Sequence, residues 1–135
     1  MINRDQMFEP ILVAYPNFSS KWQEFVDEWA GDPEGLPNYL LISDLVRECS
    51  GLLSSGRTKE LGQIFEVVET WLIEGEPYVK EAATVGFIED LQNENLHVGT
   101  EPKDFVQYLK PESAFWWRKV EDFWQRGTLL VDDRH

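Results

Sequence analysis

The stretch from Thr58 to Asn93 is what the rest of the chain has to be arranged around, because its second half presents apolar residues over most of its circumference. It reads as two helices separated by the breaker Gly75-Glu76-Pro77. The first, TKELGQIFEVVETWLIEG, opens at a Thr cap and ends at a glycine, and the second, EPYVKEAATVGFIEDLQN, carries Pro in its first turn. In that second helix Val79, Ala82, Ala83 and Gly86 form a small-residue strip that lets another helix approach closely. Phe87, Ile88 and Leu91 form a bulkier strip on a different side. A helix of this kind is covered on several sides, so other helices must close around it. Glu89 and Asp90 fall beside the small strip and must be paired, hydrogen-bonded or opened to solvent, since an unpaired buried carboxylate is very costly. A neighbouring Arg or a helix N-terminus would serve as partner; a functional role is the other reading.

The remaining segments read as further helices. Residues 5–15 are helical in pattern, with Pro10 delaying or kinking the start and Pro16 ending it. Ser19 or Ser20 caps KWQEFVDEWA, which stops at Gly31. The turn-rich loop Asp32–Pro37 leads to a third helix running to about Leu53. Thr100 caps a short helix to Leu109, and Lys110-Pro111 opens the last one, ended by Gly127. The expected fold is all-α, with six or seven helices packed as antiparallel pairs in one domain, 1–135. It would be either a bundle or a short helical-repeat-like array. The apolar periodicity predicts a core of Trp22, Phe25, Trp29, Leu45, Val46, Leu61, Phe65, Val68, Trp71, Val79, Ala83, Phe87, Leu91, Trp116, Val120 and Trp124. Phe115 falls on the other face of the last helix, beside Lys119 and Asp122, either as an interface anchor or beneath a folded-back C-terminal tail.

Charge narrows the function classes. With 25 acidic against 12 basic residues the formal net charge is −13. Such a surface repels nucleic-acid phosphates and anionic membranes and attracts basic partners, so no direct nucleic-acid or membrane binding is expected. The start, MINRDQMFEP, lacks the apolar run of a secretion signal, and the single Cys49 permits no intrachain disulfide, which together suit a cytoplasmic protein. Cys49 lies on an apolar helix face and reads as a buried, inert thiol. The only histidines are His97, expected in a surface loop, and His135 at the terminus, and neither sits in a nucleophile or zinc signature. No catalytic residue, metal or cofactor is expected. One acidic pattern competes: Glu66 and Glu69 one turn apart, followed by Glu101 and Asp104, resemble the carboxylates of magnesium-dependent, all-helical nucleotide pyrophosphatases.

From Gly31 to Asn95, about half the chain, the segments IFEVVETWL and TVGFIEDLQN resemble a family of small helical bacterial proteins found in toxin–immunity contexts. Size, helical pattern and acidity are similar to those of contact-dependent growth inhibition immunity proteins, the kind paired with EndoU-like RNase toxins among them. The resemblance implies a non-enzymatic protein that binds and neutralises a basic toxin nuclease domain by occluding its active site. It transfers no contact residues, so these are chosen on physical grounds, as exposed carboxylates at helix ends and loops. They are Asp32 and Glu34 before the third helix, Glu74 and Glu76 around the central turn, Glu112 at the start of the last helix, and Asp122 beside Phe115. An acidic DNA mimic or adaptor would show the same charge. A monomer is the expected state.

Overall fold

Prolines and glycines set most of the helix ends. A computed structural model describes residues 1–134, and His135 lies outside the described residues. The helices are α1 (Glu9–Ala14), α2 (Ser19–Glu28), α3 (Asn38–Ser54), α4 (Thr58–Glu74), α5 (Pro77–Glu81), α6 (Glu89–Leu91) and α7 (Pro111–Arg126), with the π-helical segment Ala82–Ile88 joining α5 to α6. Short 3-10 turns occupy Pro16–Phe18, Glu94–Leu96 and Pro102–Tyr108. Pro10 is tolerated only in a first helical turn, so α1 begins at Glu9 and the residues before it form turns. The fold is all-α.

Three of the expected caps are replaced. Ser19 is the first residue of α2, which continues straight from the Pro16–Phe18 turn. Thr58 is likewise inside α4, because Arg57 N–H already bonds back to Leu52 C=O and makes Arg57 the cap. Thr100 is drawn away to Ser50 (2.6 Å) and His97 (2.9 Å), leaving Glu101 at the cap of the following 3-10 helix.

The pair α4–α5 is joined as its breaker predicts. Gly75 is buried in extended backbone, and a Cβ there would stand 2.4 Å from Trp71 C=O and 2.7 Å from the Val79 side chain. Ile2 lies alongside this turn, donating to Glu74 C=O (2.9 Å) and accepting from Glu76 N–H (2.8 Å). Beyond Glu81 the helix widens: Glu89 N–H reaches back five residues to Thr84 C=O. A π-turn admits an extra residue into the helix, and here it buries Ala82, Ala83, Thr84, Gly86, Phe87 and Ile88 together, leaving Val85 exposed. The segment packs on α3, α4 and α7. At Gly86 a Cβ would lie 3.3 Å from Ile42 and from Tyr39, so α3 does use the small-residue strip for close approach.

One hydrophobic core runs from Met7 to Val120. Helices distant in sequence meet in it, α1 on α4 and α4 on α7, which is bundle packing; in a repeat array each unit touches only its neighbours. Phe25, Leu45, Val46, Leu61, Phe65, Val68, Trp71, Val79, Ala83, Phe87, Leu91 and Val120 are buried as expected. Trp22, Trp29 and Trp116 are half-buried against the core. Trp124 is a correction: it is 63% exposed. The inward stripe of α7 runs Ser113, Trp117, Val120, and its next position falls in a last turn where residues 123–129 are all exposed.

Two side chains of α4 tie the bundle together. The Trp71 indole N–H donates to Met7 C=O across 2.8 Å, and Phe8 packs edge-on against its ring. The Glu69 carboxylate accepts from Glu112 N–H (2.8 Å), Ser113 N–H (2.8 Å) and the Ser113 hydroxyl (2.6 Å), capping α7 from outside. Trp71→Ala is expected to cost ~3–5 kcal/mol through the cavity it leaves. Trp71→Phe keeps much of the volume but strands the buried Met7 carbonyl, for a loss of ~1–3 kcal/mol. Urea midpoints measure both, and unchanged midpoints would mean that Trp71 does not anchor the core.

Candidate binding surface around Trp124

The sequence-predicted contact residues fall into two groups. Arg4 gathers the first: its N–H donates to Glu76 Oε1 (2.8 Å), and its guanidinium donates to Leu36 C=O (2.8 Å) and Glu34 C=O (3.5 Å) while lying 4.7 Å over the Tyr78 ring. The loop with Asp32 and Glu34 is thereby held beside the turn with Glu74 and Glu76. Asp32 closes its own turn by accepting from Glu34 N–H (2.8 Å). The side chains of Glu34 and Glu74 are exposed.

The second group sits on α7, and the chain's own residues already engage it. The C-terminal segment folds back so that the Arg134 guanidinium stacks 3.6 Å over Phe115 and forks onto Glu112. Lys119 joins this strap through Asp133 (2.7 Å), and Asp122 pairs with Arg126 (3.3 Å). Phe115 is therefore half-buried beneath the tail, the second of its two expected placements.

Among the described residues the most exposed aromatic is Trp124, which packs edge-on against the also exposed Phe123 (5.3 Å between ring centroids). Trp124 lines two adjoining clefts, of about 450 Å³ and about 320 Å³, which also share Gln92. Carboxylates come to these clefts from four elements: Glu89 and Asp90 from α6, Glu94 from the next 3-10 turn, Glu101 from the cap of the last 3-10 turn, and Glu121 from α7. Gln92 fixes the junction by donating to Trp117 C=O (3.0 Å), which holds the end of α6 against α7. Lys103 also lines the larger cleft, and its ammonium pairs with Glu101 (3.1 Å). Burial lifts the Glu89 carboxyl above the ordinary carboxylate range, and the neighbouring Asp90 adds to the shift. Burial raises Asp90 as well, partly offset by the Ser43 hydroxyl that donates to it (2.7 Å) and by Arg47. Of the two readings for these carboxylates, Asp90 has a hydrogen-bonded structural partner, and both line a cleft. The surface was missed in the sequence because helical periodicity places Trp124 on the inward stripe; the one hint is the polar Gln125-Arg126-Gly127 that follows it.

The four carboxylates of the magnesium-type pattern have other partners. Glu69 caps α7, Glu66 lies 3.9 Å from Lys110, and Asp104 accepts from Glu101 N–H (2.8 Å). Among the described residues, no three of His, Cys, Asp and Glu are grouped so as to hold a metal ion. His97 is no bystander on a surface loop: its ring bonds Thr100 (2.9 Å) and Leu91 C=O (2.7 Å) and packs edge-on to Phe105, pinning the loop after α6. Cys49 is fully buried, and burial raises its thiol far above the usual range. No helix among the described residues is long and apolar enough to cross a membrane.

Residues 8–125, which take in α1 to nearly the end of α7 and the whole Trp124 surface, match the model of a domain of unknown function, DUF7674. The chain belongs to the DUF7674 family. No curated protein and no solved structure matches it. The DUF7674 match stops short of the strap, so Trp124 and its carboxylates lie within the family region and Arg134 lies outside it.

The raised Glu89 carboxyl gives a pH test. The folded state holds this proton more tightly than the unfolded chain does, so ionising it destabilises the fold as pH rises out of the ordinary glutamate range. Glu89→Gln should raise the thermal midpoint at neutral pH, with the gain vanishing in acid where the wild-type carboxyl is protonated. A gain of equal size in acid would remove the electrostatic explanation.

Proposed function

We propose that this DUF7674 protein is an immunity protein that captures the basic nuclease domain of a toxin and occludes its active site, with no chemistry of its own. In this reading it acts in the cytoplasm as a monomer. The observation that carries the proposal is the exposed Trp124 set among five carboxylates. A nuclease active site is cationic because it holds phosphates, so an anionic surface complements it and raises the association rate. An indole adds large, rigid contact area that polar residues lack, which is why Trp is enriched where interfaces hold most tightly. The net charge of −13 and the resemblance carried by IFEVVETWL and TVGFIEDLQN support the same reading.

Co-expression with a toxin domain encoded beside it should restore growth and yield a complex that survives purification. Association should slow steeply with salt while dissociation changes less. Reversing two exposed carboxylates, Glu94→Lys with Glu101→Lys, should slow association and weaken protection while the circular dichroism spectrum stays that of the wild type. Association that is fast at every ionic strength and indifferent to this reversal would overturn the electrostatic mechanism. Magnesium-dependent release of pyrophosphate from a nucleoside triphosphate, lost in Glu66→Gln, would overturn the immunity reading itself.

A further inference from the structure

Helix α7 carries the same local pattern twice: Glu112-Ser-Ala-Phe115 and Glu121-Asp-Phe-Trp124 each place an aromatic three positions after a glutamate. Residues three apart are neighbours on one helix face, so each pattern sets a carboxylate beside a ring. The first is filled. Arg134 lies 3.6 Å over the Phe115 ring, its guanidinium forks onto Glu112, and Asp132 takes a further bond at 3.0 Å. That arrangement suits arginine specifically: a planar guanidinium stacks on a ring while its edge donates in parallel to a carboxylate. The second pattern has a stronger cation-binding ring, since indole outranks phenyl. It also has more negative charge around it, from Glu89, Asp90 and Glu94. Two cations beside it have other partners, Lys103 with Glu101 and Arg126 with Asp122, while Arg118 lies one turn before Glu121 on the same helix.

From this we infer that Trp124 and Glu121 form an arginine-recognition site, in which a partner protein's guanidinium stacks on the indole and forks onto the glutamate as Arg134 does on Phe115 and Glu112. The inference rests on the reading of this protein as a binder of a basic partner, and it adds the residue that the partner presents. Burial raises the Glu89 and Asp90 carboxyls, and an incoming cation would relieve that cost.

The test uses the full chain, with the Trp124 indole N–H resonance assigned through Trp124→Phe. Blocked tetra-arginine and tetra-lysine peptides, equal in charge, are titrated in turn. The arginine peptide should shift the Trp124 indole signal at a several-fold lower concentration than the lysine peptide. Glu121→Gln should raise the arginine concentration needed several-fold, whereas Glu34→Gln, on the distant loop, should leave it unchanged. Equal response to both peptides, or arginine-induced shifts that spare the Trp124 indole, would overturn the inference. Neither result touches the immunity reading, which stands or falls on growth rescue by the wild-type protein.

Discussion

The carboxylate of Glu69 sets the position of the helix on which the surface depends. A helix N-terminus leaves several backbone N–H groups without partners, and at α7 the cap position is Lys110, whose side chain supplies no acceptor. Glu69 reaches across from α4 to take Glu112 N–H and Ser113 N–H, and its negative charge sits at the positive end of the α7 dipole. Two residues further along α4, Trp71 holds Met7 through its indole N–H. One helix thus orients both the last helix and the N-terminal segment. The Gly75 turn at its end then leads into α5 and the π-helical segment, which packs on α3, α4 and α7.

Because α7 is held at its start, its far end is free to project. Ser113, Trp117 and Val120 meet the core in turn, and the next residue of the stripe, Trp124, lies in the last turn, 63% exposed and edge-on to Phe123. The same anchoring constrains chemistry. A carboxylate that accepts three hydrogen bonds at a helix terminus is committed to the architecture, and Glu69 is such a group. What α7 presents outward is rings and carboxylates, with one guanidinium already stacked on Phe115.

Much of the fold was legible because its signals are local. Gly75-Glu76-Pro77, Pro16 and Gly127 interrupt or end helices whatever surrounds them, and the stripe Leu61, Phe65, Val68, Leu72 announces a buried face by spacing alone. The small-residue strip on α5 and its continuation correctly foretold close approach, which occurs at Gly86 against Tyr39 and Ile42. The rest depends on distant partners. A π-turn arises from how a segment packs between α3, α4 and α7, and no residue of Ala82–Ile88 declares it. Ser19, Thr58 and Thr100 have the chemistry of caps, yet the preceding turn, the tight α3–α4 link and the Ser50–His97 pair displaced them. Periodicity says which side of a helix faces inward, not where the inside ends, and Trp124 was misread for that reason. Likewise nothing local shows that Arg4 joins the Asp32–Pro37 loop to the Glu76 turn.

The charges divide into those that hold the fold and those that face outward. Arg47, Arg57, Lys103, Lys110, Lys119, Arg126 and Arg134 all stand in ion pairs, and Arg4 is engaged by carbonyls and by Tyr78. Most of the 12 basic residues are therefore compensated within the molecule, while 25 acidic residues leave a large uncompensated remainder. A field of that kind acts over distances of order the Debye length, ~10 Å at moderate salt, and draws cations from all directions without choosing among faces. Charge alone thus accelerates encounter but does not fix orientation. Fixing it takes a short-range feature that occurs in one place, and Trp124 combines a ring about two-thirds exposed with carboxylates from four elements. The two contributions would separate physically: screening removes a long-range pull, whereas stacking on an indole acts at contact and so would govern how long a bound cation stays.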